Sequence, residues 1–320
     1  MSNHYKRGFH VDKSGEALRK SLLEGQLNKF LKCVNKNPDL TFQIRDNYFN
    51  IYYWGGNIAR VYSDKRIEID RNYFRKHSKK EDKNQLEIIE KENHCLQLFK
   101  EGKYEAYIAY ISAAMKYYWQ NILNGKGVEE KKAQHLLCLR NQYKLSDYTI
   151  IDLEYQVSKR SEFKYCGNKR TPAGKIPSPR FDIIAIRNSD HCLCIIELKK
   201  GTKALKGTSG LQEHAHSYAY SIGANTKTEE AFTKEMNEVV EQKKQLGLLP
   251  KDIKIDCSHK PEFIFCYQFK EEGTSFESQK KVFRKEQKGE AKGIRVIWLN
   301  KEEYQDRKST RLNSSHIQKS

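Results

Sequence analysis

Two apolar runs in the second half of the chain are its clearest hydrophobic signal. Residues 180–187 read Arg-Phe-Asp-Ile-Ile-Ala-Ile-Arg, and residues 191–199 read His-Cys-Leu-Cys-Ile-Ile-Glu-Leu-Lys. Between them, Asn188-Ser-Asp190 is typical of a turn. Short apolar runs that are bounded by turn residues are typical of buried strands. We therefore predict two antiparallel strands that this turn connects.

The rest of the chain alternates between helical and strand-like patterns. An amphipathic pattern predicts one helix from about Gly15 to Asn35. Between residues 41 and 75, short aromatic and β-branched runs predict a small antiparallel sheet with a hairpin turn at Gly55-Gly56. Further helices are predicted at 86–99, 104–123, 128–139, 211–218 and 228–246, further strands at 148–157, 261–269 and 293–299, and a charged loop or short helix between the last two strands.

Three charged residues interrupt the two apolar strands. Asp182 lies early on the first strand, and Glu197 and Lys199 lie late on the second. These positions are neighbours in an antiparallel pair, and residues two apart on a strand project from the same face. Two carboxylates within reach of each other form the oxygen-rich site that Mg²⁺ prefers, and a lysine beside the ion can orient or deprotonate an attacking water. The alternative is an ordinary solvated sheet edge, because Glu-x-Lys alone is a common tripeptide.

The charge balance of the chain favours an anionic partner. Its 320 residues include 59 Lys and Arg against 41 Asp and Glu, which gives a formal net charge of +18. We expect nucleic acid as the first candidate and a membrane surface as the second. No apolar run reaches the roughly 18 residues of a membrane span, and the N-terminus has no apolar signal-peptide core, so we expect no span and no export.

The cysteines indicate a reducing environment. The chain has 8 cysteines and no Cys-x-x-Cys spacing. Cys192 and Cys194 lie in a predicted buried strand, and we interpret them as reduced core residues rather than as disulfide partners or zinc ligands. We therefore expect a cytoplasmic protein.

Basic loops flank the two apolar strands. The loop over residues 159–179 and the loop after the second strand contain these cations: Lys164, Lys169, Arg170, Lys175, Lys200, Lys203 and Lys206. They can contact backbone phosphates, or they can simply be solvated. In the predicted antiparallel sheet, aromatic residues are interleaved with Arg45, Arg60 and Arg66. These residues could bind nucleic acid, or they could pack half-buried within the sheet.

The order of the predicted elements resembles the PD-(D/E)XK nuclease superfamily. From residue 128 to 299 the order is helix, three strands, helices and two strands, with Asp182 on the second strand and the Glu-x-Lys of Glu197 on the third. That superfamily has a mixed central sheet flanked by helices, and its members cleave DNA or, less often, RNA with Mg²⁺. More narrowly, the Tyr-Tyr-Trp-Gly-Gly hairpin and residues 206–214 resemble an uncharacterised bacterial group of this type.

The resemblance implies a role for each matching residue. Asp182 and Glu197 would bind Mg²⁺, with Mn²⁺ as a substitute, and Lys199 would position or activate the water. Glu130 would add a carboxylate from the first helix, with Glu129 as the alternative. The nucleic-acid contacts would come from Gln134, Lys169, Arg170, Lys175, Lys200, Lys203, Lys206, Gln212 and His214. One departure is that Arg-Phe, not proline, directly precedes the aspartate.

These observations predict an α/β (α+β) protein with a restriction-endonuclease-like mixed sheet. We expect an N-terminal hairpin sheet and helical region of open role in residues 1–127 and the nuclease-like domain in residues 128–305. Residues 306–316 resemble the translation of a sequencing adapter, so we expect 306–320 to be an artefactual tail. The N-terminal region is expected to mediate a homodimer or to bind a protein partner.

The function expected from the sequence is metal-dependent hydrolysis of nucleic acid, with DNA first. A catalytically inactive nucleic-acid-binding module of the same fold is the main alternative. A protein that binds other proteins, with incidental charge, is a third. Steep salt dependence of nucleic-acid binding would separate the first two from the third.

Overall fold

The chain divides into two compact units, each with its own sheet. The computed structural model describes residues 7–10, 12–76, 85–125, 128–141, 146–157, 179–207, 210–271, 273–299 and 317–318. The N-terminal unit contains residues 7–139 and 242–248, and the C-terminal unit is formed mainly by residues 140–241 and 249–320.

Two short helices open the N-terminal unit where the sequence predicts one. α1 spans Lys13–Leu23 and α2 spans Asn28–Lys36. The Asn28 side-chain amide donates hydrogen bonds to the carbonyls of Leu22 and Leu23, at 2.9 and 2.6 Å. These bonds satisfy the last carbonyls of α1 and stop the helix from continuing. The prediction of a single helix from 15 to 35 is therefore wrong.

The predicted antiparallel sheet is present in the N-terminal unit. Its strands, in order, are β1 (Leu40–Ile44), β2 (Tyr48–Tyr53), β3 (Gly56–Tyr62) and β4 (Ile67–Glu68). The hairpin turn is at Trp54-Gly55, one residue earlier than predicted, and both residues have the positive φ of a type I′ turn, 50° and 81°. Gly56 instead begins β3, where a Cβ would lie 2.0 Å from the Met115 Sδ.

Three helices complete the N-terminal unit. α3 spans Gln85–Lys100, α4 spans Tyr104–Tyr117 and continues as a π-helical turn over Tyr118–Ile122, and α5 spans Glu129–Arg140. Side chains of α4 pack with those of α2 and the sheet in one apolar core. The sequence places the domain boundary after residue 127, whereas residues 128–139 group with the N-terminal unit.

A mixed sheet forms the centre of the C-terminal unit. Its strands are β5 (Tyr148–Gln156), β6 (Arg180–Arg187), β7 (Leu193–Lys200), β8 (Glu262–Gln268) and β9 (Arg295–Leu299), in that spatial order. β5, β6 and β7 pair antiparallel, and β7, β8 and β9 pair parallel. The two residues Ile317–Gln318 form β10, antiparallel to β9. The predicted mixed α/β fold is confirmed at this level.

Helices connect the parallel strands of this sheet. α6 (Leu211–Ala219) and α7 (Thr226–Gln245) lie between β7 and β8 in the chain, and α8 (Phe276–Glu286) lies between β8 and β9. Parallel neighbours require such crossovers, which explains a helix where the sequence allowed either a charged loop or a short helix. Apolar residues of all three helices share one core with the sheet.

β7 is an interior strand with little access to water. β6 lies on one side of it and β8 on the other, and all its residues from Leu193 to Lys199 are buried. Strands that are buried on both faces have nearly continuous apolar sequences. A charged side chain in such a strand is costly unless polar or charged groups contact it.

The length and hydropathy of a helix determine whether it can span a membrane. Of those in the described part of the chain, none is both long enough and apolar enough to span a bilayer. α7 has 20 residues, but its sequence is rich in Lys and Glu.

Candidate functional site

β7 carries two charged side chains into the interior of the C-terminal unit. Glu197 and Lys199 are 1% and 3% exposed. They are two residues apart on one strand, so both side chains project from the same face. An ionised group that is buried without a partner costs several kcal/mol, so the contacts of this pair decide its energetics.

One oxygen of Glu197 contacts both neighbouring basic side chains. Glu197 Oε1 is 2.9 Å from Lys199 Nζ and 2.9 Å from His214 Nδ1, which α6 supplies. Burial by itself raises the pKa of the Glu197 carboxyl. The attraction of Lys199 and His214 and their hydrogen bonds outweigh burial and lower this pKa well below its ordinary value. Glu197 is therefore ionised at neutral pH.

The second oxygen of Glu197 has a different environment. Oε2 is buried, and none of the described groups donates a hydrogen bond to it. A buried carboxylate oxygen without a donor is costly unless a ligand occupies the position. Because hard divalent cations bind carboxylate oxygens, this atom fits Mg²⁺ or Mn²⁺.

Asp182 reaches the same part of β7 from the neighbouring strand. Ile183 pairs with Ile196, so the predicted pairing of the beginning of β6 with the end of β7 is confirmed. Asp182 Oδ2 accepts a 2.8 Å hydrogen bond from the Leu198 N–H, which lies between the two charged residues of β7. The aspartate, the glutamate and the lysine of the predicted site therefore lie where the beginning of β6 pairs with the end of β7.

The most closely grouped potential metal ligands of the described residues lie at the beginning of β7, away from Glu197. In the described part of the chain, one group of three such residues has its ligand atoms all within 4.8 Å of one another, and it consists of Cys192, Cys194 and Glu262. The ligand atoms of Asp182, Glu197 and His214 are not all within 4.8 Å of one another. A hard cation at Glu197 would therefore draw on the two carboxylates and on water, as Mg²⁺ commonly does.

Two predicted site residues lie on α5, in the N-terminal unit. Glu130 is exposed, and Gln134 is 6% exposed. Residues 129–139 of α5 belong to a different compact unit from β7. The predicted roles of Glu130 in metal binding and of Gln134 in nucleic-acid binding therefore stay predictions.

The predicted phosphate-binding cations have mixed environments. Lys203 and Lys206 are exposed in the segment after β7, and Lys206 Nζ is 3.3 Å from Glu286 Oε1. Lys200 is half-buried at the end of β7. Four further residues lie outside the described part of the chain: Lys164, Lys169, Arg170 and Lys175.

The two polar residues predicted on α6 have different neighbours. Gln212 Nε2 donates to the carbonyl oxygen of Glu286 at 3.1 Å and to that of Lys288, which connects α6 to the end of α8. His214 instead contacts Glu197. The sequence allows His214 either as a nucleic-acid contact or as a half-buried, hydrogen-bonded residue, and it gives no local signal for the partner. That partner depends on how α6 packs on the sheet.

The arginines of the antiparallel sheet contact the side chains of that sheet. Arg66 lies 4.0 Å from the centroid of the Tyr62 ring, and Arg60 lies 5.5 Å from that of Tyr48. Arg45 is 3% exposed. These contacts favour the packing interpretation of the aromatic and basic residues in this sheet.

Comparisons with known proteins were also made for the whole chain. No family model matches it, and no curated protein and no solved structure matches it either. The resemblance to the PD-(D/E)XK superfamily therefore stays a sequence-based prediction.

Proposed function

We propose that the protein is a metal-dependent nuclease that hydrolyses phosphodiester bonds of nucleic acid, with DNA as the first expected substrate. The observation that carries the proposal is the buried Glu197 carboxylate. Lys199 and His214 hold its Oε1, while its Oε2 has no donor among the described groups. A buried ion pair contributes little to stability compared with apolar residues of the same size, so its presence favours a functional role.

Glu197 and Asp182 are the residues that would hold the ion. A bound Mg²⁺ or Mn²⁺ would polarise the scissile phosphate and lower the pKa of an attacking water. Glu197 has a lowered pKa and can bind a cation without first losing a proton. Asp182 adds a second carboxylate, which the Leu198 N–H orients.

Lys199 has two roles in this proposal. Its ammonium group balances the charge of Glu197 and fixes Oε1, so that Oε2 is the oxygen presented to a ligand. An ammonium group has three N–H donors, and the contact with Glu197 uses one. Another can donate to a phosphate oxygen or orient the attacking water, as a charge-assisted hydrogen bond.

The excess of basic residues supports a polyanionic substrate. The formal net charge is +18, and Lys203 and Lys206 are exposed just after the strand that carries the site. Lysines in such positions contact backbone phosphates and do not read the base sequence. We therefore expect binding that is insensitive to sequence and falls steeply with salt concentration.

A cleavage assay with matched variants tests the proposal. The purified chain is incubated with plasmid DNA, single-stranded DNA and RNA, in Mg²⁺ or Mn²⁺ and in EDTA. Lys199→Met and Glu197→Gln are compared with Lys227→Met, which removes an exposed lysine of α7. We expect metal-dependent cleavage that falls by about 100-fold or more in the first two variants and stays unchanged in the third.

Two other outcomes would contradict the proposal. Cleavage that persists in EDTA, or in both site variants, would show that the activity does not come from this site. Salt-sensitive binding without cleavage under any condition would instead favour the catalytically inactive nucleic-acid-binding module.

A further inference from the structure

A second cluster of potential ligands lies at the other end of β7. Cys192 directly precedes the strand, Cys194 lies in it, and Glu262 begins the neighbouring β8 opposite Cys194. The two sulfur atoms and a Glu262 oxygen all lie within 4.8 Å of one another. Cys192 is 3% exposed and Cys194 is 0% exposed, whereas the Glu262 side chain is 27% exposed and leaves a side open to solvent.

Two arginines hold the carboxylate of this cluster. Arg187 contacts Glu262 Oε2 through Nη1 and also binds both oxygens of Asp190, at 2.9 and 2.7 Å. Arg295 Nε lies 3.1 Å from Glu262 Oε1. A carboxylate has about four lone-pair sites, so each oxygen of Glu262 can accept a second partner. Carboxylates that ligate metals are commonly held by such outer hydrogen bonds.

The formal charges of the cluster permit a divalent cation. Arg187 and Arg295 balance Asp190 and Glu262, and the two thiols are neutral when protonated. A divalent cation that displaces both thiol protons leaves the formal charge of the group unchanged. The exchange therefore avoids the cost of an uncompensated charge in a buried position.

The spacing of the two cysteines favours a bridging ion over a disulfide. Residues two apart in extended backbone have Cα atoms about 6.6 Å apart, near the upper end of the range for disulfides. A tetrahedral ion with metal–sulfur bonds of about 2.3 Å needs its sulfur atoms only about 3.8 Å apart. The two sulfur atoms lie within 4.8 Å of each other, a range that includes this separation.

In place of the purely structural role that the sequence suggests for the two cysteines, we propose that Cys192, Cys194 and Glu262 form a binding site for a thiophilic divalent cation such as Zn²⁺. Thiolates select soft and borderline cations, whereas the carboxylate oxygens near Glu197 suit hard ones. Three protein ligands leave a fourth tetrahedral position for water. The ion connects the beginning of β7 to the beginning of β8, the first parallel pair of the sheet. This proposal does not depend on the nuclease function.

Cd²⁺ is the spectroscopic probe for the test, because cadmium bound to thiolates absorbs in the ultraviolet. The reduced, metal-free full-length chain is titrated with Cd²⁺ without oxygen, and proton release is followed with a pH indicator. Cys192→Ser and Cys194→Ser are compared with Cys257→Ser, an exposed cysteine of the same unit, and with Glu197→Gln. Circular dichroism and thermal unfolding establish that each variant is folded.

We expect the ultraviolet band to saturate at one thiolate-bound Cd²⁺ per chain, with the release of about two protons for this ion at a pH where both thiols are protonated. The absorption band should be lost in the two cluster variants and retained in both controls. Arg295→Met, which removes one outer partner of Glu262, should weaken binding by about 10–100-fold. A band that survives in either cluster variant, disappears in Cys257→Ser, or is absent from the reduced wild type would overturn the proposal. If serine prevents folding, the apolar replacements Cys192→Ala and Cys194→Ala decide the same question, because alanine leaves no buried hydroxyl without a partner.

Discussion

The two ends of β7 have charged groups in different environments. At the end of the strand, Glu197 has one oxygen in contact with two basic side chains and one oxygen without a described donor. At its beginning, both oxygens of Glu262 contact arginines, and the thiols of Cys192 and Cys194 lie beside them. Burial therefore does not by itself identify a ligand site. The potential ligand atoms at each end, a hard carboxylate oxygen or a pair of soft sulfurs, indicate which cation each end can bind.

The largest expected effect is on stability at the Glu197 end. Glu197→Ala leaves Lys199 buried without its carboxylate, and we expect the free energy of unfolding to fall by about 3–5 kcal/mol. The double change Glu197→Leu with Lys199→Met removes both charges, and it should restore most of this loss. Urea unfolding of the two variants and of the wild type measures the difference.

A smaller loss of stability is expected at the beginning of β7. Glu262→Ala should lower the free energy of unfolding less than Glu197→Ala does, because Arg187 keeps its contacts with Asp190 and the Glu262 side chain is 27% exposed. Urea unfolding of the two variants measures the difference.

A clear result at the Glu197 end would contradict a functional role for the ion pair. That result is a Glu197→Leu, Lys199→Met double variant that is as unstable as Glu197→Ala.

An intermediate effect is expected from pH. The folded state lowers the pKa of Glu197, so the stabilisation from its ionised form is present above the ordinary glutamate value of 4.5 and is lost as pH falls below it toward the lowered pKa. The stability advantage of wild type over Glu197→Gln should therefore shrink below pH 4.5. Unfolding midpoints from pH 7 to pH 3 test this, and an advantage that grows as pH falls would show the opposite sign.

The smallest effect is expected at an exposed cation near the same strand. Lys206 contacts Glu286, but its side chain is 65% exposed, so Lys206→Ala should change the free energy of unfolding by at most about 1 kcal/mol. If Lys206 contacts a phosphate, the same variant reduces the salt dependence of DNA binding by about one unit in slope. Fluorescence anisotropy at several salt concentrations measures that slope, and an unchanged slope removes Lys206 from the interface.

The sequence predicts the strands of the site well because the signal is local. The apolar runs around Asp182 and Glu197 and the turn between them are contiguous, so their antiparallel pairing follows from short-range pattern alone. The predicted element boundaries are wrong at the end of α1 and at the hairpin turn. Asn28 caps α1 where the apolar periodicity continues, and the hairpin turn forms at Trp54-Gly55 while Gly56 pairs in β3.

The contacts that complete each cluster could not be predicted from local pattern. His214 reaches Glu197 only because α6 packs on the sheet, and Glu262 reaches Cys194 only because β8 pairs parallel to β7 after two intervening helices. Hydrophobic periodicity assigns the type of each element, but it does not determine which elements become neighbours across such crossovers.

The mixed pairing of β7 has a consequence for the order of folding. Its antiparallel neighbour β6 is separated from it by a short turn, whereas its parallel neighbour β8 comes after α6 and α7. Loop-closure entropy makes the nearby pairing faster than the distant one. The chain segment that carries Asp182, Glu197 and His214 can thus assemble early, while the Cys194–Glu262 contact has to wait for β8 to dock. Protection of the Cys194 thiol during refolding would report when the parallel half of the sheet closes.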